Sequence, residues 1–146
     1  MNTSYSKNKK GYAYITCAYA KNGSLSYNKS IVEQSALFDV CSTFGIDSSS
    51  ENNTLIIRKG VRIDDCAMGA AHNGTGDARN NIVIFNGNNE DFVKFILGAR
   101  MSGNGSAFEN KVYMYDGKTD GIVGGESSKS KANGNKVHIY GGTINE

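Results

Sequence analysis

The chain has 146 residues, enough for one domain with a core of its own, and a formal charge of +2. Three of its 16 basic residues sit in the opening MNTSYSKNKK, so the body is balanced in charge, which argues against nucleic acid as a partner. No apolar run approaches the roughly 20 residues of a membrane helix, and the N-terminus has no apolar signal region, so neither membrane insertion nor a leader is expected of this segment.

Residues 1–10 read as a disordered basic segment, and 11–146 as one repetitive domain. Proline is absent and glycine numbers 18, so glycine and asparagine make the turns. The first unit, near 11–34, opens with YAYITC and ends on a degenerate NKSIVEQS from Asn28. The second, near 35–60, carries ALFDVC and then NTLIIRKG from Asn53. The third, near 61–87, carries GVRIDDC and NNIVIFNG from Asn80. The fourth, near 88–117, carries DFVKFIL and NKVYMYDG from Asn110. The fifth, near 118–142, carries DGIV and NKVHIYGG from Asn135.

In the four clear copies the second and fourth residues after the asparagine are apolar: Leu55/Ile57, Ile82/Ile84, Val112/Met114 and Val137/Ile139. That is strand periodicity, rich in β-branched side chains. A glycine follows seven residues after each asparagine, at Gly60, Gly87, Gly117 and Gly142, where a positive φ at a corner is expected. A second element recurs as Met68-Gly69-Ala70, Leu97-Gly98-Ala99 and Val123-Gly124-Gly125, with Phe44-Gly45-Ile46 and Tyr19-Ala20-Lys21 as loose matches. Units of this size cannot bury their apolar side alone, but stacking makes one continuous interior. The fold expected is all-β: a right-handed parallel β-helix, or β-solenoid, of about five coils. The asparagines are expected to form a side-chain ladder along the stack. The segments HNGTGDAR, MSGNGSAFE and SSKSKANG read as turn-rich insertions.

Few residues suggest chemistry. Cys17, Cys41 and Cys66 fall one per unit and read as a buried stack; a Cys17–Cys41 or Cys41–Cys66 bridge is the alternative. His72 and His138 lie in different units, so no metal site and no cofactor is expected. Asp39, Asp64, Asp91 and Asp120 recur at coil spacing, with Asp65, Glu90 and Asp116 nearby and Arg62, Arg79, Lys94 and Lys118 as neighbours. Stacked about 5 Å apart, they form a solvated mixed-charge edge, a carboxylate pair for glycoside chemistry, or a calcium site between coils. If Val112 and Met114 point inward, Tyr113 and Tyr115 point outward. On the same alignment His138, Tyr140, Val83 and Phe85 also face out, giving an apolar and aromatic stripe suited to binding. Tyr113, Tyr115, His138, Tyr140 and Phe85 are the candidate binding residues.

With NKVYMYDG and NKVHIYGG, the latter followed by INE, the chain resembles the repeats of bacterial autotransporter passenger domains, whose coils often read N-x-V-x-I-x-G-G. The resemblance covers 53–142 well and 11–52 loosely, and no G-x-S-x-G protease element is present. It implies an internal piece of a longer parallel β-helix, secreted or displayed at the outer membrane, with an adhesive role in virulence. The expected function is a structural or adhesive segment without catalysis, with a glycan, a host surface protein or the remainder of the β-helix as partner. The alternative is a calcium-dependent polysaccharide lyase or glycoside hydrolase-like enzyme using Asp64, Asp91 and Asp120 with Arg62 or Lys94.

Overall fold

The structure, a computed structural model, describes residues 4–7 and 13–145, with side chains from residue 15 onward. It is a parallel β-solenoid of about five turns, and the described residues contain strands but no helix. Three sheets run along the stack. The first joins Ala13–Lys21, Asp39–Ile46, Val61–Asn73, Phe92–Met101 and the short strands Lys118–Thr119, Gly121–Val123 and Glu126–Ser127. The second joins Ser24–Ser26, Ser49–Glu51, Ala78–Arg79, Ala107–Phe108 and Ala132–Asn133. The third joins Lys29–Val32, Thr54–Ile57, Ile82–Asn86, Lys111–Asp116 and Lys136–Ile139. Each interval 11–34, 35–60, 61–87, 88–117 and 118–142 holds one pass through all three sheets.

The interior is made of stacked columns. Leu55, Val83 and Val112 form one and Ile57, Phe85 and Met114 the next, all fully buried; Val40, Ala67 and Ile96 line the first sheet. A polar seam crosses this interior: Thr43 Oγ1 lies 2.9 Å from Ser50 Oγ, and His72 Nε2 lies 2.6 Å from the same hydroxyl. His72 is paired in register with Gly45, where a Cβ would clash with the imidazole at Nδ1. Only glycine leaves room for that side chain. Burial without a charged partner pushes the His72 pKa down to about 4, so the ring is neutral.

The asparagine ladder is present, with one member displaced from the sequence expectation. Asn28, Asn53, Asn81, Asn110 and Asn135 form it; Asn80 does not. Each amide oxygen from Asn53 onward accepts both the backbone N–H and the Nδ2–H of the asparagine one coil earlier, at 2.9–3.1 Å. The second Nδ2–H donates to a backbone carbonyl of the preceding coil: Leu25, Ser50, Ala78 and Ala107 in turn. The residue just before each ladder asparagine makes the corner at positive φ: Tyr27, Asn52, Asn80, Glu109 and Gly134. Asn80 is therefore the corner residue of its coil, at φ 53°.

This one-residue shift flips a whole strand. Val83 and Phe85, placed outside by sequence, point inward with no exposure, while Ile82 and Ile84 take the outer face. Gly60, Gly117 and Gly142 do adopt positive φ, but Gly87 does not. The chain bulges there instead through Asn88 to Asp91. The Asp91 carboxylate accepts N–H bonds from Gly60 at 2.9 Å, Val61 at 3.1 Å and Asn88 at 2.8 Å, and so replaces the backbone partners that the bulge removes.

One further expectation changes. Ser4–Lys7, assigned to the disordered segment, is a strand pairing antiparallel with Ala13–Lys21. The insertions HNGTGDAR and MSGNGSAFE pack against one another, whereas SSKSKANG is mostly exposed. Gly105 N–H donates to Gly74 O at 3.1 Å, and a Cβ on Gly76, Gly103 or Gly105 would strike the backbone of the coil beneath. Glycine permits this close backbone approach.

Candidate functional site

The outer face of the third sheet carries the aromatic residues. Parallel register sets Ile31, Ile56, Ile84, Tyr113 and His138 in one column. The Tyr113 and His138 rings stack with centroids 4.9 Å apart and planes 10° apart, and Tyr115 and Tyr140 stack at 4.9 Å and 11°. These separations equal the strand spacing, so the coil itself sets ring against ring. Tyr115 occupies the extra position of a bulge, since Phe85 pairs with Met114 and Asn86 with Asp116. Tyr115 is 46% and Tyr140 64% exposed. The face therefore holds four of the five candidate binding residues. Phe85 is excluded from it, being inside the core.

The aspartates do not form a column. Asp64 pairs with Arg62 at 2.7 Å. Asp91 closes the bulge beside Gly60 and Val61, and Asp120 accepts a bond from Asn145. Asp39 lies one position before the Val40–Ala67 pair, which aligns it with Cys66 rather than Asp64. Nor do the cysteines stack. Cys41 pairs with Thr16 on one side and Met68 on the other, Cys66 pairs with Phe95, and all three thiols are free. The displacement comes from an extra residue in Val61–Asn73: Leu37 pairs with Ile63, yet Val40 pairs with Ala67. Among the described residues no group of three or more His, Cys, Asp or Glu side chains is placed to hold a metal ion.

The same extra residue helps build a feature that the sequence reading missed. Along the first sheet, consecutive residues turn inward at one place: Ser42 bonds Ser30 and Thr43 bonds Ser50, while Gly69 meets Asn81 and Val83 and Ala70 joins the interior. The strands bend into an elbow there. Its outer side is a groove of about 420 Å³, with Cys41, Met68, Phe44 and Ala71 as apolar lining and Asp39 and Arg100 as the charged groups. Cys66, Leu97 and Phe95 continue this apolar cluster along the stack. The recurring Met68-Gly69-Ala70 and Leu97-Gly98-Ala99 were the visible signal, with the apolar residue on the groove floor and the two small ones at the bend. The matching triplet of the second coil is Cys41-Ser42-Thr43, not Phe44-Gly45-Ile46.

Electrostatics in the groove are uneven. Asp39 Oδ1 is fully buried and has no hydrogen-bond partner. Burial, with Asp65 adding like charge, pushes the Asp39 pKa up to about 6 against the pull of Arg100. Arg100 is already engaged: its Nε donates to Glu126 at 2.5 Å and Nη1 to Cys66 Sγ at 3.4 Å. Burial pushes the Cys66 thiol up to about 12 and Cys41 higher still, so neither is a nucleophile at neutral pH.

No protein-family model matches the chain, and neither the comparison with curated proteins nor that with solved structures finds a match.

Proposed function

We propose that the chain is a structural and adhesive β-solenoid segment that binds a surface ligand, a glycan or a host protein, without catalysing a reaction. The observation that carries this reading is the pair of ring stacks, Tyr113 on His138 and Tyr115 on Tyr140, held outward at strand spacing. Rings fixed by the backbone lose little entropy on binding and offer apolar edges and hydroxyls to a sugar or protein surface. The resemblance to autotransporter passenger repeats supports the same reading and would place the segment outside the cell, displayed at the outer membrane. A further β-helix coil is the partner that best fits the end of the stack. Val137, Ile139 and Ile144 occupy interior columns there, yet each is 39–51% exposed.

The lyase alternative draws no support from the aspartates, which sit at different register positions along the first sheet and are each engaged locally, with Arg62, the bulge N–H groups and Asn145. The test is binding to immobilised glycans and epithelial surface proteins, beside turnover of acidic polysaccharides with calcium. Binding without turnover, reduced at least tenfold by Tyr113→Ala with Tyr115→Ala at unchanged circular dichroism, is the expected result. Calcium-dependent depolymerisation would overturn it.

A further inference from the structure

The elbow groove lies on the first sheet, away from the aromatic face of the third, and stands independently of the adhesive reading. It has the size of a small-ligand site, at about 420 Å³. Its lining is mixed: Cys41, Phe44, Met68 and Ala71 give an apolar side, and Asp39, Arg100 and four further polar residues a second one. Those polar groups are unbalanced. Arg100 spends its charge on Glu126, whereas Asp39, the carboxylate that lines the groove, has no ion-pair partner among the described residues. Its Oδ1 is buried without a hydrogen-bond partner, and the carboxylate meets the groove by its other side. An ionised carboxylate left in that state costs free energy until a donor, best a cationic one, reaches it.

We propose that the groove binds a small organic amine, its ammonium group bonded to Asp39 and its apolar body laid over Phe44, Met68 and Ala71. The Phe44 ring and the thioether of Met68 are polarisable surfaces suited to an aromatic or alkyl body beside a cation. An anionic ligand is disfavoured, because the Arg100 guanidinium is neutralised and the unpaired Asp39 carboxylate repels it. The ammonium source is either a free amine or a lysine side chain presented by a peptide, and both carry the same chemistry.

Binding is read by two-dimensional amide NMR and calorimetry at pH 7.5 with three isosteric probes: 2-phenylethylamine, 2-phenylethanol and 3-phenylpropionate. A blocked Phe-Lys dipeptide reports on the lysine source. The amine is expected to shift the amides of Phe44, Met68 and Ala71 and to bind at least tenfold more tightly than the alcohol, with no binding of the carboxylate. Asp39→Asn, which keeps the shape, should bring the amine down to the alcohol's affinity. Ala71→Leu, which fills the groove from its wall and leaves the interior alone, should abolish binding at an unchanged melting temperature. A dipeptide that binds more tightly than the free amine assigns the site to a protein partner's lysine, with the ammonium chemistry upheld. Equal affinity for amine and alcohol, preference for the carboxylate, shifts centred on Tyr113 and Tyr140, or no shifts at all would overturn the proposal.

Discussion

Replacing Asn81 by alanine, beside Asn80 by alanine, tests the register of the third coil. The Asn81 amide oxygen accepts the Asn53 N–H at 3.1 Å and the Asn53 Nδ2–H at 2.9 Å. Its own Nδ2 donates to Asn110 Oδ1 at 3.0 Å and to Ser50 O at 3.1 Å. Alanine removes all four bonds and leaves two donors of Asn53 without an acceptor at a fully buried site. Each buried unsatisfied group costs about 1–3 kcal/mol, so Asn81→Ala should destabilise the fold by about 3–5 kcal/mol. Asn80→Ala removes no ladder bond; it only forces alanine into a left-handed corner, a cost of about 1–2 kcal/mol. Asn80→Gly should be nearly neutral. Urea unfolding followed by far-ultraviolet circular dichroism measures both, compared at a common m value. If Asn80→Ala proved as costly as Asn81→Ala, the ladder would run through Asn80, and Phe85 would belong outside.

Three more outcomes are expected. Phe85→Ala, at a fully buried position, should cost about 3–5 kcal/mol and leave ligand affinity of the folded protein unchanged, which unfolding and binding assays read separately. Native Cys41 and Cys66 should alkylate with iodoacetamide at pH 7.5 far more slowly than in urea, as followed by mass spectrometry, because burial holds both as thiols. Acid should act on two groups in opposite directions. His72 is neutral in the fold down to about pH 4, but its unfolded form protonates near 6.5. As pH falls across that window the unfolded state gains the proton first, and stability drops by at most about 3 kcal/mol. Asp39 protonates in the fold near pH 6 but unfolded only near 3.8, so the same acidification stabilises the fold through this group. Asp39→Asn should therefore raise the melting temperature at pH 7.5 and steepen its fall between pH 6 and 4, whereas His72→Gln should remove the fall.

The repeat was legible in the sequence because stacked coils demand equivalent residues at equivalent places, and a strand shows its inner face by period two. Leu55, Val112 and Val137 were placed from that period alone. The third coil defeated it for a local reason. Asn80 and Asn81 are adjacent, the four residues that follow are all apolar, and Gly87 stands seven residues after the wrong asparagine. Asn52 and Asn53 form the same doublet, and there the second member was chosen. What separates the pair is physical: the first must turn the chain at positive φ, and the second must bury its amide. The groove was hidden for a different reason. Its residues Asp39, Met68 and Arg100 belong to three coils, and the extra residue between Ile63 and Ala67 shifts their alignment.

That difference bears on how a solenoid acquires function. Inside, each column must repeat, because a coil one methylene too large lifts the next one off its hydrogen bonds. Outside, a column is free to change from coil to coil, and a bulge can change which residues share it. The two places here that can meet a ligand arise where the repeat is broken. The extra position at Tyr115 brings a second ring pair onto the third sheet, and the extra residue in Val61–Asn73 sets Cys66 beside Asp39. Deleting one residue from that bulge, at Asp65, should even out the register, with Phe38 opposite Asp64 while Asp39 stays opposite Cys66 and Val40 opposite Ala67. The coil and its ladder should survive with little change in melting temperature, and amine binding should persist, because Cys41 stays opposite Met68 and Phe44 opposite Ala71. Loss of the fold instead would show that the irregularity is needed by the interior, and that the groove is a by-product of packing.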